Sequence, residues 1–142
     1  MMKLPDTNIL VNSVNEASPH WQPASQWLEQ AFDCGQGVGF AWLALIGFLR
    51  ISTQRAILPT PLSVAQALGL IDDWLAQPSS KILQPTVRHA DILAKLLLVA
   101  GTAGNLSNDA HLAALAIEHG ATVGTFDKDF NKFPGVRFDL LK

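Results

Sequence analysis

Cysteine occurs once, as Cys34, in a chain of 142 residues. A single thiol excludes an internal disulfide and a zinc cage of paired thiolates, and it suits a reducing compartment, so a cytoplasmic protein is expected. Charge is scarce as well. Asp, Glu, Lys and Arg make up 15% of the residues, well below the usual quarter, and they balance to a net −2. That balance excludes a protein that coats nucleic acid by bulk electrostatics, but not an enzyme that touches a few phosphates. Long apolar runs are missing too. The most apolar stretch, Phe40 to Ile51, ends within twelve residues and carries Arg50, whereas a membrane-spanning helix needs about 20 apolar residues. The opening MMKLPDTN has no apolar segment of the kind that marks a secretory signal, and none is expected. Finally, no acid occurs between Asp33 and Asp72.

What is present is largely apolar: 49% of residues are hydrophobic, with a mean hydropathy of +0.22. Such a composition excludes disorder. It also exceeds what one small domain readily covers, which points to a partner chain. No internal repeat or interdomain linker interrupts residues 1–142, so a single domain is expected.

Periodicity and punctuation give alternating short strands and helices. A short apolar entry, Met1 to Pro5, precedes Asp6-Thr7-Asn8 and a helical run from Ile9 to Val14. Trp21 to Phe32 has apolar residues at helical spacing, and Trp42 to Thr53 is apolar on nearly all sides, as a buried or interface helix would be. Further helices are expected at Leu62 to Ala76, at Val87 to Ala100 before Gly101, and from Ala110 to His119 before Gly120, the last capped by Ser107 or Asn108. Short strands are expected at Gly37 to Ala41, Lys81 to Gln84, Ala121 to Thr125 and Val136 to Leu140. This alternation predicts an α/β fold whose central, mostly parallel sheet is covered by helices on both faces, with ligands at the carboxyl ends of the strands.

The acids fall where such a site would lie. Asp6 follows the first strand, Asp109 sits in the first turn of the late helix, and Asp127 and Asp129 follow the strand ending at Thr125. Taken singly, each has a plainer reading: Asp6 and Asp109 as helix caps, Asp127 and Asp129 as a polar turn. Together, on one edge of a parallel sheet, they would need a compensating cation, and oxygen-only donors suit hard divalent ions such as Mg²⁺ and Mn²⁺.

PDTNILV, FAWLALIGFLRIST, SNDAHLAALAIEHGATV and TFDKDFNKFPGVRF, spanning nearly the whole chain in this order, resemble the PIN-domain proteins, specifically the VapC-type toxin ribonucleases of toxin–antitoxin pairs. The resemblance implies a PIN-like three-layer fold and a metal-dependent endoribonuclease that hydrolyses phosphodiester bonds of RNA with Mg²⁺ or Mn²⁺. It implies Asp6, Asp109 and Asp127 as catalytic and metal-site acids, Asp129 as an additional metal acid, and Asn8 and Thr125 as polar supporting residues. It also implies a cognate antitoxin protein as partner. The apolar helices Trp21 to Phe32 and Trp42 to Thr53 suggest a homodimer that binds that antitoxin across them.

One position departs from the pattern. Where the family commonly carries a glutamate before two apolar residues, this chain has Gly47 before Phe48 and Leu49. In the family register Gly47 faces the acidic pocket with Arg50 one turn away, or else it lets another segment approach the helix closely. The missing acid also leaves open a PIN-fold interaction protein whose nuclease activity is weak or lost. Arg50 and Lys128 are candidate RNA phosphate contacts, with Arg55, Lys132 and Arg137 nearby in sequence. His20, His89, His111 and His119 lack metal-ligand spacing and read as structural or solvated. Trp21, Trp27, Trp42 and Trp74 read as core or interface anchors. Asp33, Asp72, Asp73, Asp91 and Asp139 read as solvated acids.

Overall fold

A computed structural model describes residues 1–142. Five short strands form one sheet: β1 (Lys3–Pro5), β2 (Val38–Phe40), β3 (Ser80–Ile82), β4 (Thr122–Thr125) and β5 (Arg137–Leu140). Their order is β3-β2-β1-β4-β5, and every pairing is parallel. Six helices connect them: α1 (Thr7–Ser13), α2 (Trp21–Asp33), α3 (Trp42–Ser52), α4 (Val64–Ala76), α5 (His89–Ala100) and α6 (Ser107–His119).

Parallel neighbours cannot be joined by a hairpin, so the chain crosses over a sheet face after each strand. Helices therefore cover both faces. Leu4 and Val123 join Leu96, Leu112 and Leu115 in a core against α5 and α6, while Val38 and Phe40 join Leu10, Phe48 and Trp74 in a second core against α1 to α4. The chain runs outward from β1 through β2 to β3, then returns to β4 and β5 on the other side of β1. The crossovers thus part between β1 and β4, and in open parallel sheets the carboxyl end of such a gap is where a cleft forms.

Local sequence accounts for most boundaries. α4 begins two residues later than its apolar pattern suggests because Ser63 forms a capping box with Gln66, each side chain bonding the other's backbone N–H. The expected cap of α6 is not made by Ser107 or Asn108. Both lie inside the helix, after Leu106, because a 3₁₀ turn at Gly104–Leu106 runs straight into it and the Ser107 N–H bonds the Gly104 carbonyl. No helix is long and apolar enough to cross a membrane.

Candidate active site

The β1–β4 ladder pairs Pro5 with Gly124 and continues one step further, the Asp6 N–H donating to the Gly124 carbonyl at 2.9 Å. This register sets Asp6 beside Thr125. Asp6 Oδ1 then caps α1 by accepting the Thr7 N–H at 2.7 Å, and Oδ2 accepts the buried Thr125 hydroxyl at 2.8 Å. Asn8 lies on the same side of α1. Its Nδ2 reaches Asp6 Oδ2 and Thr125 Oγ1, both at 3.4 Å, and its Oδ1 accepts the Phe126 N–H at 3.2 Å. Thr125 Oγ1 accepts the Asp127 N–H at 2.9 Å, and Asp127 Oδ1 accepts the Asp129 N–H at 2.9 Å. Asp6 is therefore both a helix cap and a member of the acid cluster.

Asp109 enters from the first turn of α6. Asp109, Asp127 and Asp129 can each place one carboxylate oxygen so that all three lie within 4.8 Å of one another. Burial, followed by the charges of Asp6, Asp127 and Asp129, pushes the Asp109 carboxyl up to about 7. Burial also raises Asp6, outweighing the hydrogen bonds from Thr125 and Thr7, with Asp127 adding repulsion. Lys132 pairs with Asp129 at 3.1 Å at the surface, a contact of the kind that contributes little on its own. The donors are oxygen only and converge with their charge largely uncompensated, so they fit a hard divalent cation.

Asp109 and Asp127, though not Asp129, open into a cleft of about 420 Å³. Asp6, Asn8, Asp109 and Asp127 line it together with Leu43, Ile46, Gly47 and Arg50 of α3. Gly47 and Arg50 of α3 therefore share this cleft with Asp6, Asp109 and Asp127. Gly47 is also a packing residue: a Cβ there would lie 2.7 Å from Thr7 Oγ1 and 2.9 Å from Thr7 Cγ2. Thr7 fills the space in front of the glycine, a contact that no spacing in the sequence announces. Lys128 is exposed on the short 3₁₀ helix Lys128–Lys132 and does not line the cleft.

Elsewhere one side chain differs from its sequence reading, and two histidines take up the structural role expected of them. Asp139 is not a solvated acid: its Oδ2 accepts the Lys3 ammonium at 2.7 Å and the Trp27 indole N–H at 2.9 Å. Trp27 reaches it by lying flat over Gly124, where a Cβ would fall 2.2 Å from the ring. His89 and His111 form a chain, with Glu118 Oε2 2.5 Å from His89 Nδ1 and His89 Nε2 3.0 Å from His111 Nδ1. Period and spacing along one helix could not reveal a network between α5 and α6.

A family model described as PIN domain matches residues 3–136. The chain belongs to the PIN-domain family. Among relatives of this PIN-domain chain, ribonuclease VapC37 of Mycobacterium tuberculosis (strain ATCC 25618 / H37Rv) is 49% identical over 138 residues, covering 97% of this chain and 96% of that protein. Ribonuclease VapC33 of the same strain is 36% identical, covering 96% of each chain. The crystal structure of VapBC2 from Rickettsia felis bound to a promoter DNA fragment superposes with a TM-score of 0.71 at 17% identity, over 100% of both chains. At that identity the likeness concerns the fold, here the three-layer PIN arrangement with its parallel sheet.

Proposed function

We propose that residues 1–142 form one PIN domain that acts as an endoribonuclease with Mg²⁺ or Mn²⁺, the toxin of a type II toxin–antitoxin pair, in the cytoplasm. The observation that carries this reading is the convergence of Asp6, Asp109, Asp127 and Asp129 at the gap between β1 and β4. The similarity to ribonucleases named VapC supports RNA as the substrate, and the likeness to a VapBC assembly supports a protein antitoxin as partner. The exposed apolar residues support a homodimer.

Asp109, Asp127 and Asp129 would hold the cation, with Asp6 alongside. Bound there, a divalent ion supplies polarisation of a phosphate oxygen and an activated water. The chain supplies the rest. Thr125 and Asn8 fix the Asp6 carboxylate, so that little reorganisation is needed when substrate arrives. Arg50, on the α3 side of the cleft, offers a guanidinium to a phosphate oxygen, and Lys128 offers an ammonium to a phosphate further along the strand. Neither contact reads the base sequence.

Incubating the chain with total RNA, with Mn²⁺ or with EDTA, tests the reading. EDTA-sensitive cleavage is expected, and Asp6→Asn, Asp109→Asn and Asp127→Asn should each abolish it while the fold survives. Full cleavage by one of these variants at limiting metal removes that residue from the site. Intact RNA under all conditions, with antitoxin binding retained, would favour an interaction protein, the alternative that the acid-free α3 leaves open.

A further inference from the structure

Phe126 stands between Thr125, which holds the Asp6 carboxylate, and the acid Asp127, yet its ring joins neither core. It is half-buried, and its partner is the imidazole of His20, an exposed residue: the ring centroids are 4.5 Å apart with the planes tilted by 43°. The pair is held from α1. Asn8 Oδ1 accepts the Phe126 N–H, and Asn12, one turn on, donates to the Asn8 carbonyl at 2.7 Å. The Asn12 Oδ1 accepts the Ser18 hydroxyl at 2.7 Å, whose oxygen in turn accepts the His20 backbone N–H at 3.0 Å. It is the backbone of His20 that makes the tie, and its ring is left at the surface.

A half-buried phenyl under an exposed imidazole contributes little to a core; neither ring lines the cleft itself, but the pair leaves aromatic surface exposed next to Asp127 in the chain. Unpaired RNA bases stack on phenylalanine and histidine rings without regard to sequence. We propose that His20 and Phe126 form a stacking platform for the nucleobase neighbouring the scissile phosphate. Lys128, exposed two residues beyond Phe126, supplies a cation for the adjoining backbone. The proposal rests on the ribonuclease reading above.

Single-stranded RNAs carrying 2-aminopurine at successive positions around the cleavage site test it, bound to the full chain with Ca²⁺ in place of Mn²⁺. Stacking quenches this fluorophore, so one position should darken on binding. His20→Ala and Phe126→Leu should each abolish that quench and raise KM about 5- to 30-fold at unchanged kcat. His20→Phe should restore both, and the melting temperature of His20→Ala should match wild type. Quench and KM unaltered in both variants overturn the platform, whether or not antitoxin affinity falls. Wild-type protein that neither binds nor cleaves RNA overturns the ribonuclease reading and the platform with it.

Discussion

Thr125 shows how one hydroxyl can organise a charged site. It donates to Asp6 and accepts the Asp127 N–H while completely buried, so the isostere Thr125→Val leaves both partners short of a bond without opening a cavity. Leaving buried polar groups unmatched costs about 1–3 kcal/mol, and loss of a group that orients metal-site acids lowers activity about 10- to 100-fold. Thermal melts and cleavage rates should show both losses together, and a variant with full activity would mean that Asp6 is oriented without Thr125. Asp139 illustrates the opposite use of a carboxylate. Burial alone would raise its pKa, but the Lys3 ammonium and the Trp27 N–H outweigh burial and hold it below the usual value. A depressed folded pKa means that its contribution is present above the unfolded value of about 4 and fades as the pH drops through the folded one. Asp139→Asn should therefore melt below wild type at pH 7, by roughly 1 kcal/mol at this partly exposed site. The gap should close in melts below pH 4, and a gap that persists there would assign the loss to something other than the charge.

At the scale of elements, the α1–α3 contact depends on Gly47. Gly47→Ala gains about 1 kcal/mol of helix propensity, but its Cβ would meet a β-branched side chain with few rotamers to retreat into. Overpacking of this kind costs about 1–3 kcal/mol, so a lower melting temperature is expected, relieved in Thr7→Ala/Gly47→Ala. A rise in the melting temperature of Gly47→Ala alone would show that α3 can shift freely. The same contact explains why an acid cannot simply be restored: Gly47→Glu should destabilise unless Thr7 is shortened as well, and only then can its effect on Mn²⁺ affinity be read. Alternation of short apolar runs with helical patterns made the element order legible, together with the strands flanking the acids. The α6 start was not legible, because a backbone turn replaced the side-chain cap. Nor was the Thr7–Gly47 contact, which depends on how two helices meet.

For the molecule as a whole, two measurements carry the argument. Mn²⁺ at a hundredfold excess over its Kd stabilises a protein that binds it only when folded by about 2.7 kcal/mol, which for a chain of this length raises Tm by roughly 5–10 °C. EDTA should reverse the rise, and Asp127→Asn should lack it. An equal rise in that variant would place the ion elsewhere. Assembly is the second. Trp42 and Ile46 of α3 are exposed, as the apolar pattern of that helix suggested, but the most exposed large side chains are Val87, Leu98 and Val99, at or on α5. The surface that wants cover therefore extends beyond α2 and α3. Sedimentation at micromolar concentration should find a dimer, weakened by Leu98→Glu, and a stable, non-aggregating monomer would count against it.

The sequence by itself determined the α/β class, the parallel sheet and the placement of the acids at strand ends and a helix start, because strand and helix periods and strand-end positions are local properties that one pass along the chain can read. It also marked Gly47 and Arg50 as neighbours on one helix face. Only the tertiary structure decided how these pieces meet. The Pro5–Gly124 register sets Asp6 against Thr125, Thr7 stands where a side chain at position 47 would go, and Asp139 is claimed by Lys3 and Trp27 from two other elements. Each of these depends on distances between residues 40 to 136 positions apart in the chain, where the outcome is set by packing and hydrogen bonding across elements and no local preference carries the information.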